Sequence, residues 1–326
     1  MNNFILLYLS RQDVISLNIS LKETISTIES CLKSHASGKV ELPPKLGVHP
    51  RGGTYPVIHA MPAFISDNDI CGLKWVSIYP SNRNIGLPQI MGLLILNDPE
   101  TGIPQCVMDC SYITALRTSA VSGISVRYLA KEASETVGII GCGVQGKFNL
   151  RAFKEVRPRL KNVRVYDINP DAARDFAAKM SQELLLDVEA VTDIKMAVQY
   201  CDIVLTATRI QEKPIIKECW FSEGSLGLGL EAGTAWEEKI FKTVDKFTVD
   251  DLEHARTYNS LGLFPGGMLK PYAQLGEVVL GMKPGRIHDK ERILSINVGM
   301  ALTDIALGQK VYQLAKANHV GSQLLL

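Results

Sequence analysis

The stretch at 135–167 limits the fold more than any other part of the chain. Residues 137–140 form a short apolar run rich in β-branched side chains, which leads straight into Gly141-Cys142-Gly143-Val144-Gln145-Gly146 and then into a helical pattern. A GxGxxG between a strand and a helix has a physical reading: Gly141 permits the tight turn, Gly143 lets a pyrophosphate approach the backbone, and Gly146 lets helix and strand pack closely. Phosphates would sit on the N–H groups of Val144, Gln145 and Gly146 at the positive end of the helix. A second apolar run, 163–166, ends in Asp167, 26 residues beyond Gly141. A carboxylate there accepts hydrogen bonds from both adenosine ribose hydroxyls and repels a 2′-phosphate, so the expected cofactor is NAD rather than NADP.

Alternation continues beyond this unit. A helix at 171–184, a strand at 188–191, a short helix at 194–198 and a strand at 203–206 follow in turn, which means βαβ units on a parallel sheet. Thr206, Ala207 and Thr208 end the last of these strands, where a cofactor crosses the carboxyl edge of such a sheet, and they join the candidate cofactor set. Next come a glycine-laden turn and strand at 224–233, a strand at 246–251 ending in Asp250 and Asp251, a helix around Glu277, a turn at 283–286 and a closing helix at 299–315.

The part before the glycine turn has another texture. Residues 4–9 read as a strand, Ser10 to Asp13 open a helix, and 14–36 hold one or two helical segments around 18–20 before Gly38 ends the pattern. From 40 to 96 short strands are punctuated by turns at 43–45, 50–53, 61–63, 72–76 and 86–88, and 97–102 reads as a hairpin turn. The helix at 114–130 is rich in small residues and carries Arg117 near its start. The expected fold class is therefore α/β: a Rossmann dinucleotide-binding domain plus a smaller, β-rich α+β domain.

Composition excludes several classes of function. With 326 residues, 46% hydrophobic and 21% charged, the chain can build two cores, and a net charge of +1 without a basic run gives no footing for nucleic acid. The apolar run 4–9 is too short for a membrane span and lacks the flanks of a targeting segment. Seven cysteines are scattered with no CxxC pair, and no HExxH occurs, so the expectation is a reduced cytoplasmic protein without a disulfide framework or a metal.

Eight blocks, in order, carry a family resemblance: HAMPAFI (59–65), GLKWVSIYPSN (72–82), GLPQIMGLLILNDPETGIP (86–104), TALRTSA (114–120), GIIGCGVQG (138–146), VLTATR (204–209), VDDLEHAR (249–256) and LGEVVLGMKPGR (275–286). The chain resembles the ornithine cyclodeaminase and mu-crystallin family of NAD(P)-dependent oxidoreductases. That resemblance implies a Rossmann domain at 117–303 and a substrate-binding domain at 1–116 with 304–326, through which the protein forms a homodimer. It also implies one of three activities: oxidation or reduction at the Cα–N bond of an amino or imino acid, a deaminating cyclisation with internally recycled NAD, or a non-catalytic binding role.

Hydride transfer on an amino acid needs a cationic clamp for the α-carboxylate and a proton-transfer group near the nitrogen. Lys45, Lys74 and Arg117 lie in blocks that match the family's carboxylate-binding positions, with Arg117 able to grip bidentately and the lysines acting as point charges. Lys74 and Glu231 are the catalytic candidates. At the proton-transfer position the sequence departs from the family: Glu231 stands where an aspartate is usual, and the lysine that often follows is missing. Glutamate can do the same acid/base work if burial raises its pKa towards the working pH. His49 and His59 lie near the clamp segments, whereas His35, His254, His288 and His319 show no partner pattern.

Overall fold

The computed structural model describes residues 4–53 and 55–326. The chain divides into two compact units, Met1–Arg117 with Met300–Leu326, and Thr118–Gly299. The first begins with β1 (Ile5–Leu9), α1 (Arg11–Ser16), α2 (Leu21–Ala36), β2 (Val40–Glu41), β3 (Leu46–Val48), β4 (Val57–Ile65), β5 (Ile70–Ile78), β6 (Ile90–Asn97), β7 (Pro104–Asp109) and the start of α3 (Ser111–Leu129). The second continues with β8 (Thr136–Ile140), α4 (Val144–Val156), β9 (Asn162–Tyr166), α5 (Pro170–Leu184), β10 (Asp187–Ala190), β11 (Ile203–Thr206), β12 (Leu226–Gly229), α6 (Glu238–Thr243), β13 (Lys246–Val249), α7 (Leu252–Ser260), β14 (Ala273–Gln274), α8 (Leu275–Val279) and β15 (Ile293–Ile296). The chain then returns to the first unit with α9 (Ala301–Ala317) and β16 (Ser322–Leu325).

In the first unit, one sheet has the order β16-β1-β7-β6-β5-β4-β2, with β3 also on β4, and only β1 and β7 pair in parallel. Ser10 and Ser20 start α1 and α2 through capping boxes closed by Asp13 and Glu23. The turns expected at 61–63 and 72–76 are absent; both segments lie inside the nine-residue strands β4 and β5. Pro62 is tolerated there because β2 pairs with Phe64 and Ile65, and β3 with Ile58 to Ala60, which leaves Pro62 in the gap between them. Helix α9 packs across β4, β5 and β6 so closely that a Cβ on Gly308 would fall 2.1 Å from Leu94 Cδ2.

The second unit holds an all-parallel sheet, β10-β9-β8-β11-β12-β15-β13-β14. Strand order reverses between β8 and β11, and in such sheets ligands bind outside the carboxyl ends at that switch point. The helix expected at 194–198 is instead a series of tight turns, with Ala197 N–H on Ile194 O and Val198 N–H on Lys195 O. They press on β8 so closely that a Cβ on Gly138 would lie 1.7 Å from Ala197 O. Two of the blocks quoted above have structural work here. Asp250 accepts from Val298 and Gly299 N–H while Asp251 caps α7, and Arg286 donates to the carbonyls of Leu129 and Glu291.

Candidate active site

The first unit gathers two cations on one buried carboxylate. Lys74 comes from β5, Arg117 from α3 and Asp304 from α9; Lys74 Nζ donates to Asp304 Oδ1 at 2.8 Å and Arg117 Nε to the same oxygen at 3.0 Å. Lys74 is 2% exposed and Asp304 is fully buried. Burial drives the Lys74 ammonium below its ordinary value, with Asp304 working against that fall. Burial also acts to raise Asp304, but Arg117 and Lys74 outweigh it and hold the carboxyl below its usual range. Two cations on one carboxylate leave an excess positive charge. Arg117 spends Nε on Asp304, so its two terminal nitrogens keep the fork geometry that grips a carboxylate. Asp304 Oδ2 is buried with no hydrogen-bond partner.

Asp304 escaped the sequence reading. Its signal was there, a lone acid in the mostly apolar helical stretch Ala301 to Gly308, all of it buried. Lys45 stands just before β3, close enough that its charge adds to burial in pushing His59 down to about 4. His59 is thus a neutral imidazole near neutral pH, hydrogen-bonded to the Leu46 backbone.

In the second unit the glycine turn has the form a dinucleotide requires. Gly141 has φ of 105°, and a Cβ there would lie 2.5 Å from Ala207 O; one on Gly146 would lie 2.4 Å from Gly141 O. Around a Cβ on Gly143 there is open space, at the N-cap of the thirteen-residue helix α4, whose first N–H groups have no partner within the helix. Asp167 Oδ2 accepts from Cys142 N–H at 2.8 Å and Oδ1 from Asn169 N–H at 2.9 Å, so its carboxylate is held at the turn with lone pairs to spare. The residue after it is Ile168, not a cation that could take a 2′-phosphate. Val144 and Gln145 open α4, Ala207 N–H bonds to Ile140 O, and Thr208 Oγ1 bonds to Arg209 O. These residues fit a pyrophosphate and ribose.

Glu231 follows β12 and is 7% exposed. Burial pushes its carboxyl up to about 8, and the Thr206 hydroxyl, 2.7 Å from Oε1, acts against that rise. Oε2 is buried without a partner. A carboxyl in this state holds a proton near neutral pH and can give it up. Thr206, expected beside the cofactor, instead has its side chain fully buried and turned to Glu231, with Trp236 Nε1 donating to its hydroxyl at 3.0 Å. Burial keeps the Cys142 thiol in the turn inert, raised to about 12. Among the described residues no group of three or more His, Cys, Asp or Glu is placed to hold a metal, and no helix is long and apolar enough to cross a membrane.

Comparison with known proteins gives a consistent set of relatives. Residues 7–319 match the model of the ornithine cyclodeaminase/mu-crystallin family. The alanine dehydrogenase of Archaeoglobus fulgidus is 35% identical over 326 residues, covering 98% of each chain. The structure of Thermococcus litoralis Delta(1)-pyrroline-2-carboxylate reductase in complex with NADH and L-proline superposes with a TM-score of 0.88 at 33% identity, covering 98% of this chain and 100% of that one. An archaeal alanine dehydrogenase dimer with bound NAD gives a TM-score of 0.88 at 34% identity, covering 98% and 99%.

Proposed function

This chain belongs to the ornithine cyclodeaminase/mu-crystallin family, and from that premise we propose that it is an NAD-dependent oxidoreductase acting at the Cα–N bond of an amino or imino acid. The observation that carries the reading is the pairing, in one chain, of a buried cationic clamp carrying excess charge with a buried carboxyl that keeps its proton near neutral pH.

Each residue has a distinct task. Arg117 and Lys74 hold the substrate α-carboxylate, and Asp304 keeps both cations oriented. Lys45, just before β3, adds positive charge near His59. Glu231 is the proton-exchanging group of the reaction, through Oε2. Gly141, Gly143, Val144, Gln145 and Gly146 hold the pyrophosphate, Asp167 the adenosine ribose, and Ala207 and Thr208 border the dinucleotide at the carboxyl edge of β11. The dinucleotide, when bound, would supply a hydride acceptor for Cα as NAD and a hydride donor as NADH.

The homodimer forms through the uncovered face of the first unit's sheet. Helix α9 covers one face of that sheet; on the other, Leu46, Val48, Trp75, Met91 and Leu93 expose apolar surface on β3, β5 and β6. A contiguous apolar patch of this kind needs a partner, and a second copy supplies the same surface.

The test is incubation with NAD and a panel of amino acids that includes alanine, proline, ornithine and lysine, following NADH absorbance and ammonia together. Net NADH formation supports the proposal, and the reverse assay uses cyclic imino acids with NADH. Ammonia from a diamino acid without lasting NADH would transfer the chain to the cyclodeaminase reaction. Silence in both directions would refute catalysis at Cα–N on these substrates.

A further inference from the structure

Glu231 does not stand alone in its buried setting; it ends a chain of three hydrogen-bonding side chains. Trp236 Nε1–H donates to Thr206 Oγ1 at 3.0 Å, and that hydroxyl lies 2.7 Å from Glu231 Oε1 and 3.3 Å from Leu228 O. Thr206 and Trp236 are completely buried. The fold makes room for the arrangement at some expense. A Cβ on Gly227 would fall 2.7 Å from Trp236 Cη2, and one on Gly229 would fall 3.1 Å from Trp236 Nε1, so β12 needs both glycines to seat the indole. Ala232, the residue after Glu231, holds φ of 60°, a region that a side chain with Cβ rarely adopts.

The proton count of this chain is informative. A hydroxyl offers one proton and two lone pairs. The indole N–H takes one lone pair of Thr206 Oγ1. With Glu231 ionised, the hydroxyl proton points at Oε1. With Glu231 protonated on Oε1, the carboxyl donates to the second lone pair and the hydroxyl proton turns to Leu228 O. With the proton on Oε2, the hydroxyl donates to Oε1 as before. In each state every polar hydrogen on Thr206 and Trp236 has an acceptor, and the threonine only rotates its own proton. The groups that bond Glu231 are uncharged: Thr206, itself bonded to Leu228 O and Trp236, donates to Oε1, Thr234 donates to the Glu231 carbonyl, and the backbone N–H groups of Glu231, Thr208 and Leu230 act on the carboxyl.

We propose that Thr206 and Trp236 are positioning residues that let Glu231 gain and lose its proton inside the protein, the Thr206 hydroxyl donating to Oε1 whether Oε2 is bare or protonated while Trp236 holds it in place. Oε2, which has no protein partner, is the oxygen through which the proton passes. The proposal rests on Glu231 being the acid/base group of the reaction proposed above. It also assigns a role to Thr206 other than contact with the cofactor.

The experiment follows Glu231 directly. In protein labelled with 13C-glutamate, the Glu231 carboxyl signal is assigned by its disappearance in Glu231→Gln and titrated in the unmodified protein, Thr206→Val, Thr206→Ser and Trp236→Phe. A lost hydrogen bond to the ionised carboxyl moves the Thr206→Val midpoint up by about one pH unit. Thr206→Ser restores it, and Trp236→Phe moves it in the same direction by less. The matching limb of the kcat profile moves with the titration while KM stays nearly unchanged. An unmoved Glu231 midpoint in Thr206→Val, whatever happens to activity, overturns the proposal; if that variant does not fold, an unmoved midpoint in Trp236→Phe does so. Full activity in Glu231→Gln would instead overturn the assignment of Glu231 as the acid, and the titration would still decide whether the network tunes it.

Discussion

Glutamine at 231 keeps the shape of the side chain and removes its titration, so it isolates what the buried carboxyl does to stability. Burial raises this carboxyl from 4.5 to about 8. The sign follows from linkage. Below the unfolded value the group is protonated in folded and unfolded chains alike and contributes nothing. Between the two values the unfolded chain ionises while the folded chain keeps its proton, so stability falls as pH rises, by about 1.4 kcal/mol per unit. Above the folded value both states are ionised and the accumulated penalty is on the order of 5 kcal/mol. Unmodified protein and Glu231→Gln should therefore be similarly stable at about pH 4, and the variant should become the more stable by several kcal/mol at about pH 9. The amide oxygen of glutamine still accepts from the Thr206 hydroxyl, so the network is not broken. Urea unfolding read by the fluorescence of Trp236 and Trp220, at a series of pH values, measures the difference, and turnover should fall by about a hundredfold or more in the same variant. A stability difference that does not change with pH would refute the argument, because it would mean that Glu231 is already ionised in the folded chain at neutral pH.

Four further outcomes can be checked. Arg117→Ala should weaken substrate about tenfold to a hundredfold with little change in the Kd for NAD, whereas equal weakening of both would show that the clamp is misplaced. Asp304→Asn should destabilise the protein by about 3 to 5 kcal/mol in denaturant unfolding, since it strands two buried cations. Its effect belongs to pH above the ordinary carboxyl value and should vanish as pH falls through the depressed Asp304 value; a loss under about 1 kcal/mol would mean that water screens the trio. Asp167→Ala should narrow the gap between NAD and NADP in equilibrium binding, and tighter NADP binding by the unmodified protein would sink the ribose argument. Trp75→Lys combined with Leu93→Lys should convert a dimer to monomer in light scattering, and an unchanged mass would move the interface elsewhere.

How much of this was legible in the sequence depends on whether the signal was local. The glycine turn, Asp167 and the alternation after it are written in consecutive residues, and apart from the turns at 194–198 their elements lie where periodicity put them. Two errors came from reading small residues as punctuation. Gly72 reads as a turn, yet it sits in β5 because a Cβ there would meet Ile95 O at 2.5 Å. Pro62 reads as a break, yet it is mid-strand because its missing N–H falls opposite a gap in the sheet. Neither reason exists until the neighbouring strand is in place. Asp304 was missed because its partners Lys74 and Arg117 are 230 and 187 residues away in the chain.

The two halves of the chemistry show why distance in sequence matters so much for a charged group. Lys74 and Glu231 are both buried, and burial alone would neutralise both. A clamp must remain charged, so Lys74 needs an acid brought to it, and α9 delivers Asp304 after the chain has built an entire second unit. An acid that donates a proton must remain neutral until it is used, so Glu231 needs the opposite: neighbours that hydrogen-bond but carry no charge, which Thr206 and Trp236 are. An aspartate in place of Glu231 would be shorter by a methylene, which draws its carboxyl back from the hydroxyl that Glu231 Oε1 meets at 2.7 Å. In the function proposed here, Glu231 and Thr206 therefore act as a unit, the hydroxyl positioning the carboxyl that exchanges the proton.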